Sequence, residues 1–163
     1  MTRSSENLSL EVLQQFRVIF GTMRRHFREV EERCGLPGSQ MWLLQEVQRS
    51  PGIGVSDLAS RLGVHQSTGS LLVDKLVSRR FLRKERKASD LRCVGLHLGE
   101  EAERVLALLP GPAEGVLSEA LSRIPAVALK TLNVNLDELI SSLRDKDEVF
   151  AVTPLADQLG SKE

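Results

Sequence analysis

The chain of 163 residues lacks several features that define other classes of protein. It has only two cysteines, Cys34 and Cys93, which are far apart in the sequence and form no disulfide framework, so a reducing compartment is favoured. No apolar run approaches the roughly 20 residues that a membrane span requires. The first residues also lack the apolar stretch of a signal peptide. The sequence therefore predicts a cytoplasmic protein with no membrane partner.

Residues suited to catalysis or metal binding are equally scarce. The three histidines, His26, His65 and His97, lie on different predicted elements, which disfavours a metal site. We find no nucleophile with a neighbouring base, no phosphate-binding glycine loop and no pair of carboxylates in a plausible cleft. Cys34 stands at a predicted helix end, where the helix dipole would raise the pKa of its thiol, which disfavours redox sensing. The sequence predicts neither an enzyme nor a cofactor.

The net charge is zero, but the charges are segregated along the chain. Residues 55–98 contain nine Lys and Arg against four Asp and Glu, whereas residues 99–163 contain six against twelve. A polyanion would be attracted to the first segment and repelled by the second. Because a merely solvated charged face has the same composition, the charge alone leaves nucleic-acid binding and simple solvent exposure as alternatives.

Two apolar stripes with spacings of three and four residues flank this basic segment. The first predicts a helix over residues 8–34, and the second predicts a helix that begins near Pro125. Their members are Leu13, Phe16, Phe20, Met23, Phe27 and Val30 in the first stripe, and Leu129, Leu132, Leu136, Leu139 and Leu143 in the second. Such stripes either pack within their own subunit or join the helices of a second subunit.

The basic segment is predicted to contain two short helices and a β-hairpin, after a helix over residues 39–49. The first short helix is capped by Ser56 and ends at Gly63, which permits a left-handed turn. The second runs over residues 66–79. Two strands then flank a polar, basic turn at residues 85–90. This order of elements is a winged helix-turn-helix, which inserts its second helix into the major groove of DNA and lays the hairpin along the backbone.

The candidate DNA contacts follow from that geometry. Base edges in the major groove are within reach of the first residues of the recognition helix, and the hairpin cations neutralise phosphates. The candidates are His65, Gln66, Ser67, Thr68, Ser70 and Lys75 on the recognition helix, and Arg83, Lys84, Arg86 and Lys87 on the hairpin.

Three runs of sequence in this region carry a family resemblance: DLASRLGVHQSTGSLLVDKLVSRRFLRK at residues 57–84, SDLR at 89–92 and LHL at 96–98. They resemble the MarR family of transcription regulators, and the flanking helices fit that family's six-helix layout. The resemblance implies that Arg92 reaches DNA at the tip of the wing, with Asp90 orienting it. Residues 90 and 92 lie on the same face of a strand, so an ion pair between them is geometrically reasonable.

The resemblance also implies a mainly α fold, with a winged helix-turn-helix, a small hairpin wing and a helical dimerisation region. It divides one MarR-like domain into dimerisation segments 8–38 and 99–145, a DNA-binding lobe at 39–98 and a flexible tail at 146–163. The implied function is that of a homodimeric repressor on a pseudo-palindromic operator, modulated by a small aromatic acid or phenol. The candidate ligand contacts are Met23, His26, Phe27 and Trp42, for which ordinary core packing is the alternative.

Several residues depart from the family pattern. Gly69 stands where Val or Ile is usual, which costs about 1 kcal/mol relative to Ala and predicts a less firmly seated recognition helix. Leu71 removes a possible phosphate contact, Gly99 replaces a Thr cap, and a Pro-Gly-Pro break at residues 110–112 interrupts a helix. These departures motivate an alternative function, in which a MarR-like dimer has lost operator binding and acts through protein contacts.

Overall fold

The computed structural model describes residues 3–159, with side chains described for residues 6–86, 88–89 and 92–159. Helix α1 spans Arg3–Cys34 and α2 spans Gly38–Arg49. Gly35 ends α1 with a φ of +67°, a conformation that glycine adopts without steric cost. Helix α1 begins at residue 3, earlier than the predicted residue 8. Both helices end at the predicted residues, 34 and 49. Within residues 3–159, no helix is both long and apolar enough to cross a membrane.

Two short helices follow, α3 (Val55–Leu62) and α4 (Gln66–Ser78). The predicted turn between them is confirmed, because Gly63 has a left-handed φ of 65° and its N–H bonds to the carbonyls of α3. The predicted cap at Ser56 is wrong. The N–H of Leu58 donates to the carbonyl of Gly54, so the helix begins one residue before Ser56 and has no side-chain cap.

The hairpin consists of antiparallel strands β1 (Leu82–Lys87) and β2 (Asp90–Leu98). The predicted turn over 85–90 is too long, because residues 85 and 86 pair with residues 95 and 94 and leave only residues 88–89 as the turn. A bridge that the sequence did not predict joins Ile53 to Leu96, with the Leu96 N–H donating to the Ile53 carbonyl at 2.9 Å. This bridge ties the segment before α3 to the base of the wing.

One apolar core joins α2, α3, α4 and the hairpin to α5 (Ala102–Leu106). Its fully buried members include Leu44, Leu58, Leu76 and Leu96, one from each of the four first-named elements. The lobe that carries the basic residues is thus a rigid unit whose elements all contribute to the same core.

The rest of the chain contains α6 (Val116–Arg123), α7 (Ala126–Ser141), a 3₁₀ helix (Glu148–Val152) and α8 (Leu155–Leu159). The described residues thus form eight α-helices, more than the six of the family layout. The predicted break at residues 110–112 separates α5 from α6, and the C-terminal segment folds into a helix of its own. The fold is mainly helical with a winged helix-turn-helix, as predicted.

The expected flexible tail at 146–163 needs correction over its described part. Residues 148–152 form the 3₁₀ helix and residues 155–159 form α8, which packs against α1 and α2. Ala156 is buried against Met23 and Phe27, and the Ser39 hydroxyl donates to an Asp157 carboxylate oxygen at 2.6 Å. Pro154 and Ala156 are the buried members of the apolar run at residues 149–156, whereas Val149, Phe150 and Leu155 stay exposed.

The two predicted stripes remain largely uncovered. None of the residues of α7 is buried. Its stripe leucines at 129, 132 and 139, and Leu143 just beyond its end, are each more than one third exposed. The first half of α1 exposes Leu13 and Phe20 in the same way, whereas Met23, Phe27 and Val30 are buried. The uncovered part of each stripe is therefore an apolar surface that its own subunit does not pack.

Candidate nucleic-acid interface and adjoining cleft

The recognition helix α4 is held against α3 by an unusually close contact. Gly69 is buried, and a Cβ at this position would lie 2.8 Å from the Cβ of Ala59. The departure of Gly69 from the family pattern predicted a less firmly seated recognition helix. The structure shows the opposite, because Gly69 lies in close contact with Ala59. It permits an approach that a Val or Ile would prevent, so the two helices are seated more closely than a larger residue allows.

The predicted base-contacting residues lie at the start of α4. His65 is its N-terminal flanking residue, and Gln66 and Ser67 are exposed, whereas Thr68 and Ser70 are half-buried. Lys75 is exposed further along the helix. Leu71, at 57% exposure, is an apolar side chain in the middle of this otherwise polar surface. The helix thus presents a small, largely uncharged surface rather than a strongly basic one.

The wing supplies the positive charge and lies beside α4. The Lys84 ammonium is 2.8 Å from the Asp74 carboxylate of α4, and the Arg83 guanidinium is 3.1 Å from Glu85. Both pairs are largely exposed, so they are weak and phosphates could replace the carboxylates. Arg86 and Arg92 are also exposed.

Two predicted wing contacts lie outside the part of the chain whose side chains the structure describes. They are Lys87 and Asp90. The predicted ion pair between Asp90 and Arg92 therefore stays a prediction.

Backbone contacts fix the angle at which the wing leaves α4. Arg80 has a left-handed φ of 61°, and the Phe81 N–H bonds to the Leu76 carbonyl at 2.9 Å. The Gly99 N–H returns to the Phe81 carbonyl at 2.8 Å, and a Cβ at Gly99 would collide with the Arg80 carbonyl oxygen. Gly99 is thus required for the close approach of backbone at the base of the wing. From the sequence, Gly99 was noted only because it replaces the Thr that usually caps the following helix.

A cleft of about 240 Å³ lies beside the helix-turn-helix, and two of the four predicted ligand residues line it. Phe27 and Trp42 line it. Met23 is buried in the cluster next to it, and the His26 Nε2 is 3.0 Å from the Pro112 carbonyl. Because a carbonyl oxygen only accepts, Nε2 carries the hydrogen of this bond. Two of the four predicted residues thus line the cleft, and two pack behind it.

The C-terminal segment provides one wall of the cleft, which the sequence prediction missed. Thr153, Pro154, Leu155 and Ala156 line it together with Leu62 and Gly63 from the helix-turn-helix. The signal that could have revealed this wall is the apolar run at residues 149–156, which includes these lining residues.

The two cysteines differ in their surroundings. Cys34 is buried, and this burial raises the pKa of its thiol, although the charge of Arg33 partly lowers it. Cys93 is exposed on β2. Among the described side chains, no three His, Cys, Asp or Glu residues come close enough to hold a metal ion.

Two helices joined by a glycine turn and followed by an antiparallel hairpin define a winged helix-turn-helix protein. Residues 36–94, which comprise most of this lobe, match the family model of the MarR family. The lobe over residues 36–94 is therefore a MarR family domain.

The comparisons with individual proteins agree with that assignment. The transcriptional repressor MdtR of Bacillus subtilis is 22% identical over 101 residues, which are 62% of this chain and 65% of MdtR. The match thus spans less than two thirds of that relative.

Solved structures share the fold across more of the chain. The regulator MarR of Oenococcus oeni has a TM-score of 0.55 at 18% identity, covering 80% of this chain and 99% of that one. A mutant MarR of Escherichia coli, solved with operator DNA, has a TM-score of 0.52 at 19% identity, with 80% and 96% covered.

Proposed function

We propose that the protein is a transcriptional repressor that binds duplex DNA through α4 and the wing. The observation that carries the proposal is that the wing, with its exposed cations, lies beside α4, where Lys84 approaches Asp74, while the first residues of the same helix are polar and exposed. The polar side chains of Gln66 and Ser67 suit base edges in the major groove. Arg86 and Arg92 suit phosphates or the minor groove.

The proposed DNA-binding unit is a homodimer. The uncovered apolar surfaces of α1 and α7 support this, because surfaces of this kind normally mark an interface. Pairing two copies would separate the recognition helices by about one turn of DNA, roughly 34–36 Å, and would require a pseudo-palindromic operator.

The proposed control is a small ligand in the cleft beside the helix-turn-helix. Phe27 comes from α1, whereas Leu62 and Gly63 belong to the DNA-binding turn, and all three line the cleft. A ligand that fits one separation of these elements better than another would shift the protein towards that arrangement, since only differential affinity moves the equilibrium.

The test is a fluorescence-anisotropy titration with labelled DNA from upstream of the protein's own gene, or with duplexes selected from a random library. A specific operator is expected to bind with a dissociation constant of about 10⁻⁸ to 10⁻¹¹ M. Added salt should weaken binding through counterion release. Arg92→Ala should weaken binding as well, whereas Arg28→Ala, which removes an exposed cation from α1, should leave it unchanged.

The opposite result is equally informative. If a folded dimer binds none of these duplexes at low salt, the repressor proposal fails. The alternative of a MarR-like dimer that acts through protein contacts then becomes the better account. The exposed Leu71 and the internal pairing of Lys84 with Asp74 are the observations that would favour it.

A further inference from the structure

The cleft beside the helix-turn-helix has the size of a small-molecule site. Its volume is about 240 Å³. An engineered apolar cavity of about 150 Å³ is known to hold benzene, so this cleft has room for a substituted ring. Its walls come from α1, α2, the turn after α3, α6 and the C-terminal segment. A ligand here would contact both the helix that leads into the dimer surface and the DNA-binding turn.

The charge that lines the cleft is negative. Among the described residues that line it, Glu114 is the only ionisable side chain and none is basic. A second carboxylate, Asp157, is held next to the cleft by the 2.6 Å hydrogen bond from Ser39, itself a lining residue. An anionic ligand would therefore face two carboxylates without a counter-charge, whereas a cation would gain a partner.

Trp42 adds an aromatic ring to the lining of the cleft. Its indole Nε1 is buried and has no hydrogen-bond partner within the described part of the chain, which is uncommon for a buried donor. Because this nitrogen has almost no exposed surface, a ligand in the cleft would meet the indole ring and not the N–H. The indole face is also the best aromatic partner for a cation.

The C-terminal segment completes the site. Gly38 lets this segment approach α2 closely, because a Cβ at Gly38 would lie 3.0 Å from that of Ala156. Ala156 and its neighbours thereby form a wall of the cleft that the DNA-binding lobe alone would lack.

We propose that this cleft binds a compact aromatic cation, with its charge towards Glu114 and its ring between Trp42 and the C-terminal wall. This inference rests on the proposed control by a small ligand and deepens it. It differs from the aromatic acids that the family resemblance implied, because those would carry the wrong charge for this cleft.

Trp42 provides the assay, since the chain has one tryptophan and no tyrosine. The fluorescence of Trp42 is followed, without DNA, during titrations with three ligands of one shape: 4-chlorobenzylammonium, 4-chlorobenzyl alcohol and 4-chlorobenzoate. The cation is expected to bind roughly three- to thirtyfold more tightly than the alcohol, as an ion pair and a cation–π contact together allow. The carboxylate is expected to bind most weakly.

A matched pair of variants assigns the charge effect. Glu114→Gln should remove the preference for the cation over the alcohol and leave the affinity for the alcohol unchanged. Glu119→Gln changes a nearby carboxylate on α6 that pairs with Arg123 and does not line the cleft, so the preference should persist. Binding of the carboxylate as tight as that of the cation, or no fluorescence response to any of the three, would overturn the inference.

The DNA titration described above, run on the same preparation, keeps the two proposals separate. DNA binding without a response to the cation overturns only the ligand inference. A response to the cation without DNA binding supports the ligand site and overturns the repressor proposal.

Discussion

Apolar residues and glycines are tightly packed in the DNA-binding lobe, whereas in the flanking helices they are exposed. In the lobe, apolar residues from four elements and α5 meet in one core, and Gly69 and Gly99 lie where neighbouring backbone or side chains leave no room for a Cβ. In α7 and the first half of α1, apolar residues at equally regular spacing stay exposed, and a Cβ at Gly21 would meet nothing within 4 Å. The lobe is complete within one chain, whereas the flanking surfaces need something to cover them.

The largest expected effect tests whether a second copy covers these surfaces. Replacing Leu132 and Leu139 together with Asp places two charges on the exposed stripe of α7. If the stripe joins two subunits, the variant becomes monomeric, because burying unpaired charges is costly. DNA affinity should then fall by about 10³-fold or more, from the specific towards the non-specific range. Analytical ultracentrifugation and the anisotropy titration measure the two effects.

The control for this variant is Val134→Asp, which places a negative charge on the exposed face of α7 opposite the stripe. It should leave both the dimer and DNA binding intact. A dimeric double variant with undiminished affinity would show that the stripe has no role in the assembly.

The next effect concerns the packed side of the comparison. Gly69→Ala should lower the free energy of unfolding by about 1–2 kcal/mol, because the overpacking against Ala59 exceeds the gain in helix propensity. Gly21→Ala should instead raise it by about 0.5–1 kcal/mol, since its site is open. Urea denaturation followed by circular dichroism measures both changes.

A double-mutant cycle identifies the contact responsible. Adding Ala59→Gly to Gly69→Ala should restore part of the lost stability, with a coupling free energy of about 0.5–1 kcal/mol. Strict additivity of the two substitutions would mean that the close approach of α3 and α4 has no energetic consequence.

The comparison also explains which features could be predicted from the sequence. Helices with long periodic stripes, the Gly63 turn and the hairpin were predicted because their signals are local. The role of Gly69 was not predicted, because it depends on how closely Ala59 approaches from another helix. The C-terminal wall was missed because its docking depends on Ser39 and Phe27, which are distant in sequence. Of the predicted ligand residues, Phe27 and Trp42 line the cleft, and a pattern of spacing alone could not separate them from their core neighbours.

A smaller effect is expected from the exposed apolar residue of the recognition helix. Leu71→Arg would add a cation beside the proposed DNA surface. It should increase affinity several-fold for all sequences alike and steepen the salt dependence by about one unit, as one added phosphate contact does. Leu71→Gln, which is polar but uncharged, should leave the salt dependence unchanged. An unaltered salt dependence in Leu71→Arg would indicate that residue 71 lies away from the DNA backbone.

The smallest effect contrasts the two cysteines, one in each kind of environment. Because burial raises the pKa of the Cys34 thiol, the folded protein favours its protonated form. The stability that this preference contributes is complete below the ordinary thiol pKa and is lost as the pH rises through the raised value. In a Cys93→Ser variant, we therefore expect a disulfide reagent to label Cys34 roughly tenfold more slowly than it labels Cys93 in Cys34→Ser. Labelling of Cys34 at the rate of the urea-unfolded protein would show that the end of α1 opens freely, and that the packed region is smaller than its buried residues indicate.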